Sequence, residues 1–399
     1  MTIDLFTITF TNGADIVPVS GQEDIVNTGI ANTLAGNDTI TGTGGPYDPY
    51  SPISGIPYGI FNSATFDTGE GKDVVTGTGS VQGIRNTGTF NTGQGNDIIT
   101  AKGTRVGIYN SGTFNTAEGN DVITGTGGKS EGILIEDGST LNTGSGNDKI
   151  TGNGGLTGIY NGSITFNTGD GNDTIAGTGS INGIRNEGLI NTGNGKDTII
   201  ADGGAYGLSN RSTIDTGDGD DLITVIGKLD NYGTIDTGHG DDTITASSAF
   251  YQNATLDTGD GDDMITGLSG LYNADTINTG DGNDTITSIY GIQNQGIINT
   301  GNGADSIIAG AGFYGMGSVF LENGKDHLKG FGTGNFNGGN NQDTLELTSG
   351  TYTCGISGTT VSFTKSGVIM YTSHFEKLIA GNTTHDFTSL TDGQTIVVP

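Results

Sequence analysis

Apolar positions in this chain fall in short alternating runs. "TIDT" at Thr213–Thr216 places Ile214 on one side, and "DLIT" at Asp221–Thr224 places Ile223 on the same side. Between them Gly217–Asp221 ("GDGDD") reads as a tight turn. A third short run ends in Asn, as in "GIYN" at Gly107–Asn110 and "GLSN" at Gly207–Asn210. Alternation with period two, in segments this short, predicts strands, and no helical window stands out.

The set recurs. The turn aspartates are Asp73, Asp97, Asp121, Asp148, Asp173, Asp197, Asp221, Asp242, Asp263, Asp284 and Asp305, separated by 24, 24, 27, 25, 24, 24, 21, 21, 21 and 21 residues. Such a period implies stacked units, none able to bury its apolar side alone. Degenerate copies around Asp38, Asp326 and Asp343 suit the ends of the stack. The predicted fold is all-β: a right-handed parallel β-solenoid (β-helix or β-roll) of 21–24-residue coils with an antiparallel C-terminal cap. Residues 1–30 read as N-terminal cap strands and 31–345 as the solenoid, with a loop insertion at 46–59. Residues 346–399 read as the antiparallel cap and tail.

At the coil spacing of about 4.8 Å, like residues lie over like. Phe66, Phe90, Phe114, Leu141, Phe166, Ile190, Ile214, Ile235, Leu256, Ile277 and Ile298 form one interior row. Ile99, Ile123, Ile150, Ile175, Ile199, Ile223, Ile244, Ile265, Ile286 and Ile307 form another. Asn62, Asn86, Asn110, Asn161, Asn186, Asn210, Asn231, Asn253, Asn273 and Asn294 form an asparagine ladder that satisfies backbone groups at a corner. The period falls because the loop before the Asn strand shortens: Asp197 to Asn210 is 13 residues, and Asp263 to Asn273 is 10.

Charge sharpens the picture. There are 14 Lys+Arg against 44 Asp+Glu, a formal net charge of -30, which excludes a nucleic-acid partner. Glycine, at 76 residues, follows no Gly-X-Y period and there are only six prolines, so ordered turns account for it. Cys354 is the only cysteine, so neither an internal disulfide nor a multi-thiol zinc site is expected. The N-terminus lacks the basic and apolar regions of a Sec-type signal, and no apolar run is long enough for a spanning helix.

Turn geometry explains the glycines, which supply positive φ. It explains the acidity poorly. Stacked carboxylates about 4.8 Å apart repel by several kcal/mol even at an effective dielectric near 20, and Asn would make the same turn without that cost. Further acidic residues at Asp170, Asp218, Asp220, Asp241, Asp260, Asp262 and Asp281 add to the load. A cation between turns is expected, and calcium, a hard ion taking six to eight oxygens, suits carboxylates and carbonyls. Lys72, Lys196 and Lys325 would replace an ion locally and leave gaps in the row.

The turns resemble the Gly-Gly-x-Gly-x-Asp-x-apolar-x nonapeptide of the RTX (repeats-in-toxin) calcium-binding family. Gly217, Gly219, Asp221 and Ile223 match its second Gly, third Gly, Asp and apolar positions, and the other ten units follow. The likeness covers residues 30–345. The first Gly is Thr throughout (Thr92, Thr168, Thr216), and Ala117 replaces the second Gly in one unit, putting an ion at that turn in doubt. The motif sits on one edge only, where the family's roll carries two. The repeat is closer to that of RTX-type ice-binding adhesin segments, which implies a single row of calcium ions held by the eleven aspartates. The resemblance also implies type I export, folding in external calcium, and a secreted or cell-surface location; "DGQTIVVP" at the end is similar to type I secretion signals.

Catalytic motifs are sparse. None of His239, His327, His374 and His385 belongs to a His-Glu-x-x-His motif. "GKSEG" at Gly128–Gly132 fits a serine-hydrolase pattern but lies in a variable loop rather than between strand and helix. Arg85, Arg105 and Arg185 with Tyr109, Tyr160, Tyr232 and Tyr272 lie on or beside the third strand and could contact sugar. The principal reading is a non-catalytic, calcium-stabilised structural or interaction protein of the cell surface or extracellular matrix. Its partners would be calcium and an extracellular polysaccharide or cell-surface molecule. The alternatives are a β-helix lyase or epimerase acting on acidic polysaccharide, and ice binding. The second alternative demands a flat Thr face. The variable turn position offers none, and the row Thr76, Thr100, Thr124, Thr151, Thr224, Thr245, Thr266 and Thr287 is broken at Ala176 and Ile200. Pro46–Gly59, with four of the six prolines and three tyrosines, is a further candidate contact loop.

Overall fold

A computed structural model describes residues 2–18, 24–45 and 58–399. The insertion at 46–59 falls almost entirely outside the described residues. The chain divides into two compact units, one of residues 1–218 and 223–227, the other of 219–222 and 228–399. Each is a parallel β-solenoid.

In the first unit a typical coil has three strands, Thr89–Asn91, Ile98–Gly103 and Val106–Asn110. Each pairs in parallel with its equivalent in the next coil: Phe90 with Phe114, Ile99 with Ile123, Ile108 with Ile133. Both interior rows expected from the alternation are fully buried from end to end. A third row, Ile60, Ile84, Ile108, Ile133, Ile159, Ile184 and Leu208, completes the core from the Asn strand. A large side chain from each of three directions leaves little room for a fourth. The inward position two residues after the Ile99-type row is accordingly small, as at Gly77, Ala101 and Gly125. A Cβ at Gly77 or Gly125 would lie 2.7 Å from the facing Ile84 or Ile133 side chain.

The second unit repeats the plan with shorter coils, for example Thr255–Asp257, Met264–Gly267 and Leu271–Asn273. The three residues lost per coil come out of strands and not, as the spacing suggests, out of the loop, which grows from two residues at Thr104–Arg105 to three at Leu268–Gly270. The second strand falls from six residues to four and the Asn strand from five to three.

The asparagine ladder is present and buried. Asn86 Nδ2 donates to Asn110 Oδ1 and to the Thr113 carbonyl, both at 2.8 Å, so one side chain closes a corner and ties two coils. Asn27 joins the row at its start, and Ile135 interrupts it. One expected member is corrected: Gln252, not Asn253, holds the position, accepting from Asn231 Nδ2 at 2.8 Å. Gln252 Nε2 donates to the Ala254 and Thr276 carbonyls, keeping the carbonyl bond to the next coil but not the amide-to-amide bond to Asn273.

The C-terminal region is antiparallel, as the alternation predicts. Gly350–Ser357, Thr360–Lys365 and Val368–Ser373 form a meander over buried Tyr352, Phe363 and Met370. The final residues belong to it: Thr395–Val398 pairs antiparallel with Gly350–Ser357 and buries Ile396 and Val398. The segment that resembles a secretion signal is thus an integral strand of the cap.

Replacing Asn186 by Leu removes its bonds to Asn210 Oδ1 and the Thr213 carbonyl and takes from the Asn161 amide one of its two acceptors, leaving the Leu189 carbonyl. Urea denaturation is expected to show a loss of about 2–4 kcal/mol, since each buried polar group left alone costs about 1–3 kcal/mol. Ile135→Asn, which would restore the row, is expected to cost far less.

Candidate functional site

The glycine turn joining the first and second strands repeats without a break in backbone conformation. The residue four before each Asp has φ near +85°, and the one two before it has φ near +145°: Gly93 is at +81° and Gly95 at +148°. Positive φ is only half of the demand for glycine here. A Cβ on Gly95 would lie 1.5 Å from the carbonyl oxygen of Gly71 in the preceding coil. The first of these angles is kept where its glycine is gone, with Leu34 at +74°, Ala117 at +67° and Glu322 at +65°. Stacking therefore holds the turn even where the residue type opposes it.

The eleven aspartates expected as ligands are all buried, none more than 2% exposed, and Asp38, Asp326 and Asp343 extend the row. Each points along the stack in the same sense. Oδ1 of one Asp accepts the backbone N–H of its counterpart in the preceding coil, at 2.7–2.8 Å from Asp38 through Asp197 in the first unit. The link repeats at 2.7–3.0 Å from Asp221 to Asp343 in the second. The N–H of Asp343 finds Glu376 Oε2 of the cap, at 2.8 Å. One carboxylate oxygen per turn is therefore spent on the backbone. The other is not: Oδ2 of every one of these fourteen aspartates is buried with no hydrogen-bond partner.

A buried, half-satisfied carboxylate is costly to ionise. Desolvation dominates and pushes Asp263 up to about 8, Asp121 and Asp284 to about 7, and Asp73, Asp97, Asp148, Asp197 and Asp242 to about 6. The turn Thr and the backbone N–H pull the other way in each case, and neighbouring carboxylates such as Asp242 and Asp284 push Asp263 further up. Asp326 and Asp343 titrate together and are also raised by burial.

The donor set is all hard oxygen: Asp Oδ2, the turn carbonyls stacked beside it, and the buried threonines five residues upstream, such as Thr68 and Thr92. Calcium chemistry fits such a set. Among the described residues no three His, Cys, Asp or Glu side chains gather around one point. An ion in this row would thus take its carboxylates from adjacent coils and complete its shell with carbonyls and hydroxyls.

Two outer rows flank the buried one. Residues just before each Asp form a second, exposed ladder of opposite sense: Asn120 N donates to Asn96 Oδ1 at 2.7 Å, and Asp262 N to Asp241 Oδ1 at 2.9 Å. In the first unit this row is mostly Asn; in the second it holds Asp220, Asp241 and Asp262. The second unit is the more acidic at its turns. His239 is exposed, with Nδ1 3.4 Å from Asp260 Oδ2.

One face escaped the sequence reading. The strands of the Phe90 row present Thr and Asn or Asp outward at positions i and i+2. In the first unit these are Thr65, Thr89, Thr113, Thr140 and Thr165, beside Asp67, Asn91, Asn115, Asn142 and Asn167. Together they line one shallow groove. The amides are locked to one another: Asn91 Nδ2 donates to Asp67 Oδ1 at 2.8 Å and Asn115 Nδ2 to Asn91 Oδ1 at 2.9 Å. The signal was the recurring Thr-x-Asx triplet, hidden by attention to the turn.

The Arg and Tyr residues singled out earlier stack on one another. Arg85 lies over Tyr109 at 4.4 Å, and Arg185 lies over Tyr160 at 5.4 Å. Glu187 binds both Arg185 and the Tyr160 hydroxyl. Gly128–Gly132 forms a corner and the start of a parallel strand, Glu131–Ile135, with no helix after it.

No family model and no curated protein matches the chain. Among solved structures it is similar to a hyperactive, Ca2+-dependent, β-helical antifreeze protein from an Antarctic bacterium, at 21% identity over 80% of this chain and 84% of that one, with a TM-score of 0.41.

The raised aspartate values set a pH dependence for the calcium-free protein. A group whose folded value is raised stabilises the fold fully below its unfolded value, about 4, and that contribution is lost as pH climbs through the folded value. In chelator the melting temperature is expected to fall between pH 5 and pH 8, and Asp263→Asn is expected to raise it at pH 8. A flat profile in calorimetry would count against the row's desolvation.

Proposed function

We propose that this chain is an exported calcium-binding solenoid of RTX type, a non-catalytic extracellular scaffold whose turns hold divalent ions along the aspartate row. The observation that supports it is the unpartnered Oδ2 of all fourteen buried aspartates. Asp73, Asp97, Asp121, Asp148, Asp173, Asp197, Asp221, Asp242, Asp263, Asp284 and Asp305 would be the ligands. Calcium there would supply positive charge where the protein supplies none, and would replace protonation as the means of neutralising the row. The protein's part is to hold Oδ1 on the backbone, so that Oδ2 is aimed and already desolvated. The low-calcium state would be self-repelling, which suits passage out of the cell before folding.

Ice binding is the second reading, favoured by the Thr-x-Asx face. Its hydroxyl and amide rows repeat at the coil spacing, and the amide row is fixed by side-chain bonds rather than left to rotate. A rigid lattice of this kind, with Asp67 the one carboxylate among the five coils named, can order water at a surface; the buried Asp row would then serve only to keep that face flat.

Calcium at one millimolar order, against EGTA, is expected to raise the melting temperature by about 10 °C or more, because several sites each contribute a few kcal/mol at saturation. Asp263→Asn, stabilising in chelator, is expected to destabilise in calcium; the same sign in both would remove the metal reading. The second reading requires thermal hysteresis in calcium that a Thr113→Tyr, Thr140→Tyr pair largely abolishes with the melting temperature unchanged.

A further inference from the structure

The shortened coils of the second unit carry a cleft beside the corner between second strand and Asn strand. The 24-residue coils connect these strands through two residues, as at Thr104–Arg105, and the 21-residue coils through three, as at Leu268–Gly270, between strands that are themselves shorter. The outward positions on the Asn strands there are Tyr251, Tyr272, Gln293 and Tyr314, paired in strict register from coil to coil. Tyr290 rises from the intervening corner, 68% exposed. These five side chains line a cleft of about 250 Å³.

The cleft has a definite chemistry. The rings of Tyr251 and Tyr272 lie 5.7 Å apart, tilted by 46°. The Tyr314 ring packs against Gly291, where a Cβ would come within 3.1 Å of it, and its hydroxyl donates to the Ala311 carbonyl at 3.0 Å. That ring is held rather than free. The lining includes Gln293 and Ser269 as polar groups and no charged side chain. The nearest cation, Lys228, lies over the Tyr251 ring at 4.1 Å and pairs with Asp230 at 3.2 Å. The matching row of the first unit differs, since in Arg85, Tyr109, Leu134, Tyr160 and Arg185 each ring has a cation beside it.

Monomeric surfaces seldom leave four aromatic rings grouped in the open without a use. Tyr offers a flat apolar face with a polar rim at low entropy cost. A ligand that suits it has apolar faces, hydroxyl edges and no charge: a sugar ring. A polyanion is disfavoured by a chain of net charge -30 and a cleft without a free cation. The register adds a direction, because Tyr251, Tyr272, Gln293 and Tyr314 climb the coil stack in a line. From three tyrosines in register and a fourth on the corner, around an uncharged cleft, we infer a binding site for a neutral polysaccharide strand, its sugar faces stacked on Tyr251, Tyr272, Tyr290 and Tyr314 with Gln293 bonding the hydroxyls.

Affinity electrophoresis of the full chain in calcium tests this, using gels that contain a soluble cellulose derivative, glycogen or galactomannan, with polygalacturonate as the anionic comparator. Retardation is expected in at least one neutral gel. Tyr272→Ala and Tyr290→Ala are each expected to weaken it roughly tenfold or more, the scale of one lost stacking contact, while Tyr290→Phe keeps it. The inference is overturned by no retardation in any neutral gel, by retardation in polygalacturonate alone, or by retardation that survives both alanine variants. Should a variant lose its circular dichroism spectrum, nitration of the wild-type protein decides: a retarding polysaccharide that shields Tyr290 supports the site, and one that leaves it reactive overturns it. None of these outcomes depends on whether the aspartate row holds calcium, so long as the fold is intact.

Discussion

In-register parallel stacking is the constraint from which the rest follows. It sets every residue above its own equivalent, one peptide spacing away, so each local choice is made a dozen times over. For Phe90, Ile99 and Ile108 the repetition is pure gain, since like side chains of like shape pack without voids. For Asn86 it is gain of another kind, because an amide is both donor and acceptor and can bond to a copy of itself. For Asp97 it is a conflict. A carboxylate is an acceptor only, and a column of acceptors cannot bond to one another. The structure resolves half of that conflict by giving Oδ1 the backbone N–H of the coil before, and leaves the other half, Oδ2, as an open demand for positive charge or a proton.

Much of this was legible beforehand because the repeat makes its own alignment. Eleven copies in one chain distinguish Ile99 from Thr100 as reliably as any external comparison. The two interior rows, the turn and the Asn ladder therefore came directly from spacing. What was less legible was a position where residue type and spacing disagree. Asn253 has the right residue type, but the 21-residue period from Asn231 to Asn273 falls on Gln252, whose amide takes the place. The Thr-x-Asx face was visible as letters, yet its outward direction needed the pairing of Phe90 with Phe114 to fix which residues faced solvent. The cleft was less visible still. Of its tyrosines only Tyr272 attracts notice in sequence, and the others matter because strand pairing sets Tyr251 and Tyr314 in the same outward row, beside Tyr290 on the corner.

The two edges of the turn also differ in how much freedom they leave. The buried row holds Asp in every copy, whereas the exposed position before it ranges over Asn, Asp, Lys and Ala. Fold and charge are thus set by different columns: one is fixed by the backbone bond it accepts, the other free to tune the field along that side.

The way the ladder ends carries its own consequence. Glu376, on the antiparallel cap, reaches the N–H of Asp343 with a carboxylate and so imitates the Asp of a coil that does not exist. Every link below it has the same form whatever the length of the coil that supplies it, from 17 to 35 residues between partners. Coil number is therefore not encoded anywhere in the joint. Genetic duplication or deletion of whole coils would leave a chain that still closes on the same glutamate, which makes the length of such a molecule an easily varied trait rather than a property of its architecture.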